Sequence, residues 1–270
     1  MALVTLFLLL DKNKSANRRN ELVKSVNEDF VNATILVITP TYKRPKRLIV
    51  IILLFLVVAD VGSCFSLRWI VVEDGMTTVP AVSRILQRSG VPHAYLATIL
   101  GDEMPRRGWT LRNLALQYVK ENYYNHREAV LYFSNDDNFY DVRLFNDYIR
   151  KVNRIGVWAA GLVGGAWVEA PRFSANGKVI VWDAMFAPGR PFSIDMDGFK
   201  CLGAVAMNFN ASFNTQCVRP ESCFLWQFGF TKENLEAFGY KDFLKEVLVW
   251  HTKTSKSKED EDVETLAGNE

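Results

Sequence analysis

A short apolar run that leads directly into acidic residues constrains this chain more than any other feature. Residues 129–133 are apolar or aromatic and predict a buried strand, yet Asp136 and Asp137 follow within four residues, between the amides of Asn135 and Asn138. Hard divalent cations such as Mg²⁺ and Mn²⁺ prefer oxygen ligands, and they use one or two carboxylates together with substrate phosphates. The pattern is typical of a metal and nucleotide-diphosphate site at a strand end. A polar turn, in which Asp and Asn bond their own backbone, remains the alternative.

The first half of the chain alternates between strand and helix patterns. The sequence predicts strands over residues 33–40, 67–75 and 93–100 and helices over residues 79–89 and 110–122. The first strand is expected to break at Pro40. Polar residues at the strand ends predict a doubly wound, mostly parallel α/β sheet with its ligand at the carboxyl ends of the strands. From residue 155 the segments shorten, which predicts a second, mixed half that serves another ligand.

Charge and hydropathy argue against two classes of partner. The formal net charge is only +2 and no long basic stripe occurs, so no nucleic acid is expected as a partner. The apolar run at residues 1–10 is short and has no basic residues before it. The run at residues 48–59 is shorter than the roughly 18–20 residues that span a bilayer. Neither run predicts a membrane-spanning helix.

The cysteines and the glycosylation sequons bear on the cellular compartment. No C-x-x-C spacing occurs, so a structural zinc site is not expected. Cys217 and Cys223 are close enough in sequence to form a small disulfide loop in an oxidising compartment. Three N-x-[ST] sequons weakly favour a secretory route, and they begin at Asn13, Asn32 and Asn210.

Several charged residues suit binding or proton transfer, and each also has an ordinary structural interpretation. Arg112 can face phosphates bidentately or simply be solvated, and His251 can bond a phosphate or be a satisfied histidine at a strand end. Three carboxylates lie in apolar, Pro-rich surroundings, where a raised pKa would suit a general base: Glu169, Asp195 and Glu221. Taken singly, each of these is more often structural.

In this order, the motifs resemble those of the β-1,3-glucuronosyltransferases that build the glycosaminoglycan linker and related glycan epitopes. The resemblance runs from about residue 35 to 253 and rests on Thr39-Pro40-Thr41-Tyr42, Val72-Glu73-Asp74, Arg112-Asn113-x-Ala115-Leu116, Tyr132-Phe133-x-x-Asp136-Asp137-Asn138, Val163-Gly164-Gly165, Glu169-Ala170-Pro171-Arg172, Arg190-Pro191-Phe192-x-Ile194-Asp195-Met196, Glu221-Ser222 and Val249-Trp250-His251-Thr252.

The resemblance implies a fold, a reaction and a division of the chain. The implied fold is a GT-A-like α/β fold whose mostly parallel, nucleotide-sugar half is joined to a mixed α/β acceptor half. The implied reaction is inverting, Mn²⁺-dependent transfer of glucuronic acid from UDP-glucuronic acid to the 3-hydroxyl of a terminal β-galactose on a glycan. The expected division is an N-terminal segment (1–32, a degenerate anchor or stem), a UDP-sugar and metal-binding subdomain (33–154), an acceptor-binding and catalytic-base subdomain (155–254), and a disordered charged tail (255–270).

The resemblance also implies a role for each matching residue. Asp137 would hold Mn²⁺, and Glu221 would be the general base. The implied donor-binding residues are Pro40, Tyr42 and Asp74 beside the uridine, Asp136 at the ribose, Arg112 and His251 at the phosphates, and Arg107 at the donor sugar. The implied acceptor-binding residues are Glu169, Arg190 and Asp195.

The chain departs from the family pattern in four places. Asn135 replaces the first of three aspartates, and Lys253 stands where the family often has arginine. Residues 48–59 are apolar where an amphipathic helix is expected, and no type II anchor is recognisable at the N-terminus. The implied location is the Golgi membrane, with a lumenal catalytic domain and with a homodimer as one oligomeric option. Two rivals stay open: a catalytically weak glycan- or nucleotide-binding relative, and a same-fold transferase that uses another UDP-sugar.

Overall fold

A computed structural model describes residues 34–42, 67–99, 108–124, 129–163, 165–174, 176–185, 189–193, 210–215, 220–239 and 246–252. The predictions for residues 1–32, 48–59 and 255–270 lie outside these ranges. The strands are β1 (Ile35–Tyr42), β2 (Leu67–Asp74), β3 (His93–Thr98), β4 (Val130–Phe133), β5 (Asn138–Tyr140), β6 (Gly156–Val157), β7 (Ala160–Gly161), β8 (Val168–Phe173), β9 (Val179–Asp183), β10 (Glu236–Ala237) and β11 (Val249–His251). The α-helices are α1 (Pro80–Arg88), α2 (Trp109–Tyr123) and α3 (Pro220–Trp226), with π and 3₁₀ turns at Leu144–Tyr148, Ile149–Lys151 and Lys232–Asn234.

The first sheet has four parallel strands in the order β3-β2-β1-β4. Its central strands are apolar almost throughout because both faces of the sheet are covered. Chain order reverses between β1 and β4, and a crevice forms at such a switch point, outside the carboxyl ends of the strands. The predicted doubly wound, mostly parallel sheet is confirmed.

Alternate residues of each strand feed two separate cores. Ile35 and Val37 of β1 face the core that contains Leu86 of α1. Leu36 and Ile38 face the opposite core, which contains residues 111, 115 and 119 of α2. The residues of α2 recur every fourth position, so one stripe of the helix is buried. Successive strand side chains point to opposite faces, so one sheet organises both cores.

The predicted break at Pro40 is wrong, because β1 continues to Tyr42. Ser134 donates its N–H to the Ile38 carbonyl at 2.8 Å, so Ile38 points its backbone groups toward β4. Pro40, two residues later, points to the same side. Pairing of β1 with β4 ends at Ile38 and Phe133. The missing N–H of proline therefore falls where the ladder has already ended, which is where a strand tolerates proline.

The second sheet is mixed and has the order β5-β11-β7-β8-β9. Strand β11 pairs antiparallel with β5 and parallel with β7, so it joins residues on either side of residue 155. An aromatic cluster joins the second half to the first sheet: the rings of Phe213 and Phe224 stack 4.5 Å apart, and Phe133 of β4 meets both of them edge-on. Among the described residues, no helix combines the length and apolar character needed to cross a bilayer.

Candidate functional site

Two hydroxyl bridges connect the end of β1 with the chain that follows β4. Thr41 donates its hydroxyl to Asp136 Oδ2 at 2.7 Å, and the Thr39 and Ser134 hydroxyls lie 2.6 Å apart. All four residues are buried. Trp69 of β2 adds an indole N–H bond to the Thr39 hydroxyl at 2.9 Å. The segment between β4 and β5, residues 134–137, is called the acidic turn below. These bonds fix the acidic turn to β1 at the switch point.

Arg112 lies in the first turn of α2 and faces the same turn. Its Nη2 donates to Asn135 Oδ1 at 2.7 Å, and the residue is only 6% exposed. Gly108, with φ of +70°, precedes the helix; a Cβ there would lie 2.9 Å from Arg112 Nη1 and 3.5 Å from Pro40 Cβ. Glycine avoids this crowding and also the strain of a positive φ. The predicted donor residues Pro40 and Arg112 are therefore brought together at Gly108.

Strand β11 holds the other side of the acidic turn. Thr252 donates both its N–H, at 2.9 Å, and its hydroxyl to the Asp137 carbonyl. His251 Nδ1 lies 2.8 Å from Asn138 Oδ1, and the two residues are paired in the β5–β11 ladder. An amide oxygen can only accept, so Nδ1 carries the proton and Nε2 is the nitrogen left for a ligand. The structure places the predicted His251 beside Asn138, the residue that follows Asp137.

Tyr42 and Asp74 lie opposite each other in the β1–β2 register, at the carboxyl end of the sheet. Tyr42 is 48% exposed, and Asp74 is partly buried. An exposed ring next to a carboxylate at this edge can accept a flat heterocycle and one of its N–H groups. The structure thus brings seven of the eight predicted donor and metal residues to the carboxyl end of the first sheet. The eighth, Arg107, lies outside the described residues.

The fit of a divalent ion rests on few carboxylates. Within the described ranges, no group of three or more His, Cys, Asp or Glu side chains is placed to hold an ion. Asp136 already accepts the Thr41 hydroxyl, which leaves Asp137 as the neighbouring acidic ligand. One carboxylate plus the oxygens of a substrate diphosphate is a common way to hold Mg²⁺ and related ions. The residues therefore fit an ion shared with a bound diphosphate, and not a cage made by protein alone.

The predicted acceptor residues lie on the second half. Glu169 lies on β8 and is 1% exposed, Arg190 is buried before α3, and Glu221 is partly buried in the first turn of α3. Ser222 donates to the Phe192 carbonyl at 3.5 Å, and this bond ties α3 to the segment that carries Arg190. Asp195 lies outside the described residues. A cavity of about 220 Å³ is lined by residues of α2, β1, β4 and segment 210–212, and none of the predicted site residues contributes to it.

A charged network braces the strands behind the acidic turn. Arg143 contacts Asp141 and Glu246, each at 2.8 Å, and so links the chain after β5 to the chain before β11. The hydrogen bond from Arg143 holds the pKa of Asp141 below its usual value. The same contacts raise the pKa of Arg143. The network lies mainly in solvent and stabilises the fold only modestly.

Sequence reasoning overlooked the residues that hold the site residues. Thr41 bonds Asp136, Asn138 bonds His251, and Tyr140 bonds both backbone groups of Asn135. The period of two in β1 was a usable signal, because it places Thr39 and Thr41 on the same side of the strand. Cys223 is disulfide-bonded. Its partner and the predicted Cys217 lie outside the described residues.

Comparisons with known proteins identify the family to which this chain is similar. Residues 63–255 match the profile of Glycosyltransferase family 43. The galactosylgalactosylxylosylprotein 3-beta-glucuronosyltransferase sqv-8 of Caenorhabditis elegans is 37% identical over 206 residues, which are 72% of this chain and 57% of that protein. Enzyme 1 of the same name from Rattus norvegicus is 35% identical over 83% of this chain and 70% of its own length. Enzyme 2 from Mus musculus is 36% identical over 90% and 75%.

Solved structures support the fold. TarS residues 1–349 from S. aureus superpose with a TM-score of 0.53 at 13% identity, covering 81% of this chain and 60% of that one. Its complex with UDP-GlcNAc gives 0.51 at the same identity, covering 83% and 60%. At this identity the likeness concerns the fold alone, and it confirms the predicted GT-A-like α/β class. The profile match and the relatives together place this chain in glycosyltransferase family 43, as the motif resemblance predicted.

Proposed function

We propose that this chain transfers glucuronic acid, with inversion, from UDP-glucuronic acid to the 3-hydroxyl of a terminal β-galactose on a glycan. The observation that carries the proposal is the convergence of Asp136, Asp137, Arg112 and His251 on the switch-point crevice. Relatives named galactosylgalactosylxylosylprotein 3-beta-glucuronosyltransferases support the donor and the acceptor sugar.

On the donor side, the chain binds and orients the nucleotide. Tyr42 and Asp74 bind the uridine at the carboxyl end of the first sheet, beside Pro40. Asp136 binds the ribose, and the hydroxyl of Thr41 fixes the Asp136 carboxylate. Asp137 would hold Mn²⁺. When bound, this ion neutralises charge on the departing diphosphate.

Arg112 and His251 bind the phosphates from opposite sides of the acidic turn. The guanidinium offers planar donors that suit phosphate oxygens. The imidazole is oriented by Asn138, which fixes the proton on Nδ1 and presents Nε2 to the donor. In its charged form, the ring donates from Nε2 to a phosphate oxygen. Both groups stabilise negative charge that grows on the leaving group as the glycosidic bond breaks.

On the acceptor side, Glu221 removes the proton from the attacking galactose hydroxyl. An inverting transfer needs one base on the face opposite the leaving group, and a positioned carboxylate supplies it. Glu221 lies in the first turn of α3, and Phe224 of α3 packs edge-on against Phe133 of β4, which joins this helix to the first sheet. Glu169 and Arg190, together with Asp195, would hold the galactose by its other hydroxyl groups.

We further propose that the reaction takes place in the Golgi lumen, on a type II membrane protein. The disulfide at Cys223 supports an oxidising compartment. The proposed partners are the UDP-sugar, the glycan acceptor and, in a homodimer, a second copy of the chain.

The direct test measures UDP release by the purified full chain from UDP-glucuronic acid and a β-galactoside, with Mn²⁺ and with chelator. Release that needs both the metal and the acceptor is expected. UDP-glucose and UDP-GlcNAc serve as donor controls, and an α-galactoside serves as the acceptor control. Release from UDP-GlcNAc alone would establish the rival donor. UDP binding without any release would establish the silent binding relative.

A further inference from the structure

We infer that Asn135 is a positioning residue that holds the Arg112 guanidinium through a bond carrying no opposing charge. The positive charge of Arg112 is thereby not neutralised by residue 135, which raises the affinity of the site for ligands of high negative charge. The inference rests on the proposed function for the class of ligand, a nucleoside diphosphate. Its physical content is a dependence of affinity on ligand charge, and that dependence is measured without any transfer step.

One terminal nitrogen of the guanidinium is hydrogen-bonded, and the other lies close to the backbone of Gly108. Nη2 donates to Asn135 Oδ1 at 2.7 Å. Nη1 lies over Gly108, where a Cβ would come within 2.9 Å. The Arg112 residue is only 6% exposed. A buried arginine has already lost rotamer freedom in the ligand-free protein. Binding a ligand therefore costs less side-chain entropy than it would with a mobile arginine.

Asn135 is itself held by a buried aromatic residue. Tyr140 OH accepts the Asn135 N–H at 2.7 Å and lies 3.2 Å from the Asn135 carbonyl, to which it donates. Tyr140 is 1% exposed and meets Tyr132 edge-on, with ring centroids 6.1 Å apart. The backbone of Asn135 is therefore anchored to the core, and its side-chain amide reaches Arg112 from that anchored position. Tyr140, Asn135 and Arg112 form a continuous chain from the core to the crevice.

The charge at position 135 can be changed without changing the position of the side chain. Aspartate has nearly the same shape and would also accept from Arg112, through a stronger, charge-assisted bond. The residue pair would change from a net charge of +1 to zero. An anionic ligand in this crevice would meet one more negative charge at short range, at a cost that grows with the charge of the ligand. The ligand-charge series therefore measures the electrostatic effect of residue 135, and truncation to alanine measures its bond to Arg112.

The test compares wild-type protein with Asn135→Asp over uridine, UMP and UDP, with dissociation constants measured calorimetrically in chelator. The variant should bind uridine within about two-fold of wild type and UDP roughly ten-fold more weakly, with UMP between them. Raising the salt concentration should narrow the gap for UDP, because salt screens charge. The matched control is Asn176→Asp: Asn176 is exposed and its Oδ1 also accepts a side-chain bond, from Ser174. It should change none of the three constants.

A second variant separates tethering from charge. Asn135→Ala removes the bond to Arg112 and adds no charge, so UDP affinity should fall without an enlarged salt dependence. In the Arg112→Ala background, Asn135→Ala should cost little more, because the two residues act as one unit. Additive losses in that cycle would overturn the inference.

Two other results would also overturn it. Equal losses of uridine and UDP affinity in Asn135→Asp would mean a purely structural role. Tighter UDP binding by Asn135→Asp in Mn²⁺ than by wild type would mean that residue 135 faces the metal instead. A wild-type chain that binds UDP and transfers no glucuronate would refute the proposed function, while the ligand-charge series would still decide the role of Asn135.

Discussion

The donor side and the acceptor side of this molecule are built from different kinds of structure. Most donor residues lie at the carboxyl ends of neighbouring strands in one parallel sheet, while Arg112 comes from α2 and His251 from β11 of the mixed sheet. Side-chain bonds such as Thr41–Asp136 and His251–Asn138 tie these elements together. Acceptor residues come from β8, from a segment near residue 190 and from the start of α3. These pieces belong to three separate segments and are held mainly by packing and by bonds to backbone groups.

The difference indicates which contacts must be lost before each side stops binding its ligand. At the end of a parallel sheet, hydrogen-bonded strands fix side-chain positions before any ligand binds. On the acceptor side, the positions depend on how segment 210–215 packs between α2 and α3. Asn113 bonds both backbone groups of Phe213 at 2.8 Å, and Gln227 bonds both backbone groups of Ser212, at 2.9 and 3.0 Å. Changes in the two regions should therefore have separable effects on donor and acceptor.

The largest expected effect comes from Glu221→Gln on the acceptor side. Removing the base while keeping its shape should lower kcat by about 10²–10⁴-fold. UDP affinity should stay within about two-fold, because Glu221 belongs to the other region. Turnover assays and calorimetry measure the two quantities.

Glu233→Gln is the matched control for this variant, because Glu233 is an exposed glutamate in the same half. It should leave both quantities unchanged. Loss of UDP binding in Glu221→Gln would place Glu221 with the donor residues and break the comparison.

Asp137→Asn should have the next largest effect, and on the donor side only. Asparagine keeps the shape but loses the charge that attracts a hard cation. UDP affinity in Mn²⁺ should fall at least about ten-fold, to the value that wild type shows in chelator. Asp147→Asn, an exposed aspartate in the π turn, is the control. Persisting Mn²⁺-dependent UDP binding in Asp137→Asn would contradict the assigned role.

A pair of smaller changes tests whether the two regions are separable. Thr41→Val leaves the buried Asp136 without its hydroxyl donor, at a cost of about 1–3 kcal/mol in the free energy of unfolding. It should raise the dissociation constant of UDP and leave the acceptor KM unchanged. Thr41→Ser keeps the hydroxyl and should restore wild-type behaviour. Denaturant unfolding and steady-state kinetics provide the readouts.

Asn113→Ala is the acceptor-side counterpart. It removes two bonds to the Phe213 backbone and should cost about 1–3 kcal/mol in the free energy of unfolding. The acceptor KM should rise while UDP affinity stays unchanged. Gln117→Ala on the same helix, where the amide is exposed and bonds Glu121, is the control. If Asn113→Ala weakened UDP binding as much as Thr41→Val does, the two regions would not be separable.

The smallest effect concerns Asp141, whose pKa lies below its usual value because Arg143 bonds it. A depressed folded pKa gives stability that is fully present above the unfolded pKa of about 3.9 and is lost as the pH falls through the folded value. Since the network lies mostly in solvent, the gain is a few tenths of a kcal/mol.

Asp141→Asn should therefore be slightly less stable than wild type at pH 7, and the difference should shrink as the pH falls below about 4. Chemical unfolding at several pH values, with and without high salt, measures this. A difference that persists at acid pH would assign the effect to lost hydrogen bonding rather than to charge.

Most of the first sheet could be predicted from sequence because its signals are local. The apolar runs of β2 and β4 and the helical stripe of α2 reflect burial that each segment needs for itself. The extension of β1 through Pro40 could not be predicted, since it depends on where β4 stops pairing. The mixed second sheet was predicted only as a class, because β11 pairs with β5 and β7 across long stretches of chain.

Residue type and local pattern alone reveal the reactive groups: carboxylates after a buried strand, a histidine at the end of the last strand, and glutamates in apolar surroundings. These are properties of residue type and local pattern, and both are written along the chain. Which of these groups come into contact depends on the tertiary structure. It set Thr41 against Asp136, His251 against Asn138, and Asn135 between Tyr140 and Arg112. A hydrogen bond requires approach to about 3 Å, and for residues that lie far apart in sequence only strand order and register provide it.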